Sequence, residues 1–123
     1  MSKKILVVDD ELHLAEMMTS RLRANRYEVI SALTGEEGLR KAMHEKPDLI
    51  LLDVLMPDFD GYHVLCRLKE EPETRDIPVI MLTVKHWSED IKRAIEKGAV
   101  DYIVKPFDPR SLLEKIKGAF QNA

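Results

Sequence analysis

The feature that most constrains this chain is an alternation of two kinds of segment. Five short runs rich in Val, Ile and Leu (Ile5–Val8, Tyr27–Ser31, Leu49–Leu52, Val79–Leu82, Tyr102–Val104) are separated by longer stretches with helical spacing. Three of the runs are nearly all apolar without polar alternation, the pattern of strands covered on both faces. In the longer stretches, Leu14, Met18 and Leu22 fall at i, i+4 and i+8. Leu39, Ala42 and Met43 share a helical face, as do Val64, Leu65 and Leu68, and Ile91, Ala94 and Ile95. Leu112, Leu113, Ile116, Ala119 and Phe120 form the clearest apolar stripe. Strands alternating with helices predict an α/β fold, a parallel sheet with helices on both faces, and right-handed crossovers restrict its topology.

Helix ends are signed locally. Thr34 with Glu37 matches a capping box, in which each side chain satisfies a free backbone N–H. Asp108 before Pro109 reads as an N-cap and first helical residue, and Gly98 as a helix stop. His86 and Trp87 fall at the expected start of the fourth helix. No repeat, low-complexity run or linker interrupts the pattern. Residues 1–123, with 45% hydrophobic side chains, are therefore expected to form one domain around one sizeable core.

Composition excludes several function classes. With 33% charged residues and a net charge of only -3, the chain has no bulk preference for nucleic acid or membrane. Cys66 stands alone, so no internal disulfide can form. His13, His44, His63 and His86 lack the close spacing of a zinc site. The four-residue apolar run near the start is too short for a signal peptide or a membrane span. These features fit a cytoplasmic, reducing compartment.

In an open parallel sheet, ligands sit beyond the carboxyl ends of the strands. The first run ends in Asp9-Asp10, the third in Asp53, the fourth in Thr83 and the fifth in Lys105-Pro106. Three carboxylates in one cleft repel one another: a pair at ~4 Å costs about 4 kcal/mol at an effective dielectric of 20. Lys105 offsets only one charge, so protons or a cation must supply the rest. Magnesium suits one or two carboxylates, retained waters and a phosphate oxygen. The loop after the first strand is acidic where a phosphate-cradling loop would be glycine-rich, which disfavours a flavin or nucleotide pocket. A carboxylate beside such a metal can itself act as nucleophile and form an acyl phosphate. Asp53 is the candidate, because the turn Met56-Pro57-Asp58-Phe59-Asp60-Gly61 just beyond it keeps the strand end open.

Asp9-Asp10, the stretch Asp53-Val54-Leu55-Met56-Pro57 running to Asp60-Gly61, Leu82-Thr83 and Lys105-Pro106-Phe107 together resemble the receiver domain of two-component response regulators, CheY-like proteins, in order and spacing along essentially the whole chain. The resemblance implies a flavodoxin-like, doubly wound (βα)5 fold with a five-stranded parallel sheet of order 2-1-3-4-5. It implies that Asp53 takes a phosphoryl group from a sensor histidine kinase or phosphotransfer protein, with Mg2+ as cofactor. Asp10 would bind the metal directly and Asp9 through water, with Asp53 and the Leu55 carbonyl completing the protein ligands. Thr83 and Lys105 would hold phosphoryl oxygens, helped by a cis peptide at Pro106, and Tyr102 would be an aromatic switch. The face made by the fourth helix, fifth strand and fifth helix would read out the state to a downstream target or output domain, and admits a phosphorylation-dependent dimer. The domain would be a signalling phosphoacceptor rather than an enzyme, catalysing only its own phosphorylation and dephosphorylation. Val84, after Thr83, stands where small residues are more common in this family, and its branched side chain is expected to narrow access to the phosphoryl site.

Two rivals make different demands. A magnesium phosphatase with an aspartate nucleophile resembles this chemistry but carries Asp-x-Asp after its first strand, where this chain has an adjacent pair. A phosphorylation-independent interaction module would not need Asp9, Asp10, Asp53, Thr83 and Lys105 together. Lys92, Arg93, Lys97, Arg110, Lys115 and Lys117 suit a solvated face or, equally, contact with an acidic partner; without interleaved aromatics or a recognition helix they do not argue for direct nucleic-acid binding.

Overall fold

A computed structural model describes residues 2–54, 60–84 and 88–121. The chain runs β1 (Lys4–Val8), α1 (Leu12–Ala24), β2 (Glu28–Ala32), α2 (Gly35–Glu45), β3 (Leu49–Asp53), α3 (Gly61–Glu70), β4 (Val79–Thr83), α4 (Glu89–Glu96), β5 (Asp101–Val104) and α5 (Pro109–Gln121). The strands form one parallel sheet in the order β2-β1-β3-β4-β5. This is the doubly wound, CheY-like and flavodoxin-like fold, with the order reversing between β1 and β3.

Each strand feeds two cores, because successive side chains point to opposite faces of a sheet. Leu6, Val8, Ile50, Leu52, Val79 and Met81 pack with Ala42 of α2, Val64, Leu65 and Leu68 of α3, and Ile91 and Ala94 of α4. Ile5, Val7, Leu49, Leu51, Ile80, Leu82 and Ile103 pack on the other face, with Ala15, Met18 and Leu22 of α1 and Leu112 and Ile116 of α5. The unbroken apolar runs of β1, β3 and β4 are the direct consequence: both faces are covered, so neither position of the alternation can be polar.

Local differences from the sequence expectations have physical causes. β2 begins at Glu28, one residue late, because Tyr27 N–H is still tied back to Leu22 O at 3.1 Å and Glu28 N–H makes the first bond to Lys3 O. The α1 stripe is Ala15, Met18 and Leu22, with Leu14 only partly buried. The small side chain lets the helix approach the sheet. At α2, Glu37 N–H donates to Thr34 Oγ1 at 3.1 Å, as a cap should. The return bond reaches one residue further than in a capping box, from Leu33 N–H to Glu37 Oε1 at 2.8 Å. Asp108 Oδ1 accepts from Arg110 N–H at 3.1 Å at the start of α5. Gly98 has φ 118°, a left-handed conformation that glycine adopts without steric cost, and Ala99 N–H closes onto Ala94 O at 2.9 Å. α4 begins at Glu89 with Ser88 as its cap. His86 and Trp87 lie outside the described residues.

Candidate functional site

The carboxyl ends of β1, β3, β4 and β5 deliver the chemistry to one place. Asp9 directly follows β1 and is fully buried, fixed by its N–H bond to Ala32 O at 3.0 Å. Asp53 closes β3 and is 7% exposed, and Thr83 closes β4 and is also buried. Val54 N–H bonds to Leu82 O at 2.9 Å and Lys105 N–H to Thr83 O at 2.6 Å, so the three strand ends stay in register past the last sheet residue. Gly61, at the start of α3, lies against this framework. Its N–H reaches Val54 O, and a Cβ there would overlap Asp53 O and come within 2.8 Å of Val54 Cα. Only glycine allows α3 to begin so close to the Asp53 backbone. The Asp60 carboxylate then caps α3 by accepting from His63 N–H at 2.8 Å.

Lys105 is the electrostatic centre. Its Nζ lies 3.2 Å from Asp9 Oδ2 and 3.1 Å from Asp53 Oδ2. Burial alone would push this ammonium's pKa down, but the Asp53 carboxylate and then Asp9 outweigh it, and the net direction is up from the ordinary 10.5. The lysine therefore stays charged between two buried acids. The Lys105–Pro106 peptide is cis.

One ammonium does not balance the site. Asp9, Asp10 and Asp53 each present a carboxylate oxygen within 4.8 Å of the others, Asp10 from the exposed side. Asp9 Oδ1 accepts from Glu11 N–H at 3.0 Å. Asp9 Oδ2, although close to Lys105, accepts no well-aligned hydrogen bond among the described residues. A buried carboxylate oxygen with spare acceptor capacity, in a cluster of hard oxygen donors, fits a small divalent cation. Leu55, whose carbonyl was expected as a further ligand, lies outside the described residues, as do Met56, Pro57, Asp58 and Phe59.

Beside the carboxylates is a cavity of about 170 Å³ lined by Asp53, Val54, Thr83, Val84, Ser88, Asp90 and Lys105. Pockets for small organic ligands run ~300–1,000 Å³, so this one suits a group of phosphoryl size better than a nucleotide. The sequence reading missed Ser88 and Asp90. The signal was present: a Ser followed by Glu89-Asp90 is a helix start, and a start so soon after β4 must bring its first turn to the strand end. Tyr102 is half-buried on β5, packed against the core of that face, and lines a shallow hollow with Val84 and Lys105. Its ring lies under Lys115 Nζ, 5.2 Å from the centroid.

Comparison with known proteins agrees with this fold. The family model described as response regulator receiver domain matches residues 5–117. The alkaline phosphatase synthesis transcriptional regulatory protein PhoP of Bacillus subtilis is 42% identical over 123 residues, covering 100% of this chain and 50% of the relative. The phosphate regulon transcriptional regulatory protein PhoB of Escherichia coli is 40% identical, covering 98% of this chain and 53% of its own length. The chain thus spans about half the length of these curated relatives. The chemotaxis protein CheY4 of Vibrio cholerae superposes with a TM-score of 0.92 at 31% identity, covering 97% of this chain and 99% of that one.

Proposed function

This chain belongs to the response regulator receiver domain family, and from that membership we propose that Asp53 accepts a phosphoryl group and that residues 1–123 form one receiver domain. The donor is the phosphohistidine of a sensor histidine kinase or phosphotransfer protein. The observation that carries the proposal is Lys105 Nζ held between Asp9 and Asp53 beside a cavity of phosphoryl size.

An Asp53 carboxylate oxygen attacks phosphorus, the P–N bond breaks, and its electron pair leaves with the imidazole. The transferring group spreads charge over its oxygens, so catalysis is positioning and electrostatic stabilisation. Lys105 supplies a fixed cation on one side, and the Thr83 hydroxyl donates to a phosphoryl oxygen. Asp9, Asp10 and Asp53 would hold Mg2+, with the Leu55 carbonyl as a further ligand by family resemblance. The bound ion would neutralise phosphoryl charge and offset the carboxylate cluster. The same arrangement lets water attack the acyl phosphate, so the domain catalyses its own phosphorylation and dephosphorylation and turns over no separate substrate.

Phosphorylation biases a two-state equilibrium. Thr83 moves toward the phosphoryl group, Tyr102 turns inward, and the α4-β5-α5 face changes its fit for a downstream target, an output segment or a second receiver. The relatives are named as transcriptional regulators, which favours an output in transcription. Signalling of this kind implies a cytoplasmic location. Among the described residues, no helix is long and apolar enough to cross a membrane.

The test is intact-mass spectrometry after incubation with magnesium and acetyl phosphate. One added phosphoryl group is expected, absent in Asp53→Asn and absent with a chelator. If phosphorylated kinase also fails to charge the protein, the proposal fails and a phosphorylation-independent module takes its place.

A further inference from the structure

The sheet has two open edges, β2 and β5. An open edge presents backbone groups that can pair with a strand of another chain. In β2, Glu28 N–H and Ala32 O point to β1, through bonds to Lys3 O and from Asp9 N–H. Backbone groups alternate along a strand, so Val29 and Ser31 face the open side. Both outward carbonyls are taken by cations from the flanking helices. Lys41 Nζ of α2 donates to Ser31 O at 2.5 Å, and Arg23 Nη2 of α1 reaches Val29 O at a longer 3.4 Å. At the other edge, Lys115 Nζ of α5 donates to Tyr102 O at 3.0 Å, and Tyr102 N–H donates to the Asp101 carboxylate at 2.8 Å. Lys115 and Asp101 are themselves paired at 2.9 Å.

The same device thus occurs three times, from three helices, on two edges. We propose that Arg23, Lys41 and Lys115 are edge guards, which prevent the sheet from adding a strand of a second copy of this chain. Each occupies a carbonyl that an incoming N–H would need, and each places a charge where a neighbouring strand would have to desolvate it. The role is independent of phosphorylation. It also fixes how a partner meets the β5 side: through side chains, with no strand added at Tyr102.

The β2 edge gives the clean test, because it lies on the opposite side of the sheet from the α4-β5-α5 face. Replacing Arg23→Met and Lys41→Met together keeps the stems that cover apolar surface and removes the donors. Without magnesium or phosphoryl donor, sedimentation of the double variant is expected to show self-association at least tenfold tighter than the parent's. Hydrogen exchange should show new protection at the Val29 and Ser31 amides. A labelled peptide of residues 27–33 should bind the variant and not the parent. Unchanged sedimentation with no peptide capture overturns the proposal, and so does association without new protection in β2. If the double variant loses its folded circular dichroism, Lys41→Met alone carries the test. It must capture the peptide while Lys41→Arg, which keeps a donor, must not; equal behaviour of the two overturns the proposal.

Discussion

Lys105 Nζ stands within 3.2 Å of both Asp9 and Asp53, with its side chain only 13% exposed. Removing one partner from a buried ionic cluster is costlier than the cluster is stabilising, because the remaining charges stay buried and unpaired. Lys105→Met should therefore lower unfolding free energy by about 3 kcal/mol. Magnesium should raise the variant's urea midpoint more than the parent's, since a ligand bound only by the folded state stabilises by mass action. An equal magnesium response in both would show that Lys105 and the metal do not share the carboxylates. Val84 is 65% exposed and lines the cavity beside Asp53 and Thr83. Val84→Ala is expected to speed labelling by acetyl phosphate and loss of the phosphoryl group several-fold, with both rates read by intact mass over time. The positions of Asp9, Asp53, Thr83 and Lys105 were legible because each directly follows an apolar run, with Asp10 one place further on, and strand ends are where an open sheet exposes its chemistry. Which acid is buried was not legible. Asp9 and Asp10 are chemically identical neighbours, and it is contacts in the folded chain that hold Asp9 inward: its N–H bond to Ala32 O, the bond from Glu11 N–H to its carboxylate, and Lys105.

At the scale of elements, α4 spans only Glu89–Glu96, so its ends matter more than those of a longer helix. Ser88 Oγ accepts from Ile91 N–H at 3.3 Å, and Glu89 and Asp90 in the first turn favour the positive end of the helix dipole. Ser88→Ala should cost about 1 kcal/mol. Amide exchange should accelerate across α4 while α1 and α2 stay unchanged; uniform acceleration would show that α4 does not open on its own. Lys69 ties α3 to the segment before β4, donating to Arg75 O and Ile77 O at 3.0 Å each. Burial pushes its pKa below the ordinary 10.5, and nearby Asp76 only partly offsets this. A lysine lowered in the folded state binds its proton more weakly there than when unfolded. Its contribution to stability is therefore fully present above 10.5 and is lost as pH falls through the lowered folded value. The stability gap between the parent and Lys69→Met should widen as pH rises toward 10.5, as measured by urea midpoints. A gap that narrows would reverse the assignment. Element boundaries were less legible than the elements themselves. The start of β2 depends on a backbone bond from Tyr27 to α1, and the reach of Lys41 and Arg23 depends on which strand ends at the sheet edge. Both are tertiary facts.

For the whole molecule, the sheet divides the interior into two cores that share no side chain among the described residues. Leu68 of α3 belongs to one and Ile116 of α5 to the other. Leu68→Ala and Ile116→Ala should each cost about 2–5 kcal/mol. Their costs should add to within ~0.5 kcal/mol in a double-mutant cycle by denaturant titration, as for sites without common partners. A larger coupling would mean that the sheet transmits strain between its faces. The α/β architecture was fully legible, because five doubly apolar or half-apolar runs joined by amphipathic stretches leave few other ways to bury so much surface. The division of labour along β1 and β3 has a further consequence. Adjacent residues such as Leu51 and Leu52 serve different cores, so removing a single codon within such a strand exchanges the inventories of both at once, as a frameshift does to a message. Descendants of this chain can therefore vary the identity of these residues far more readily than their number, and changes in length must accumulate in the turns.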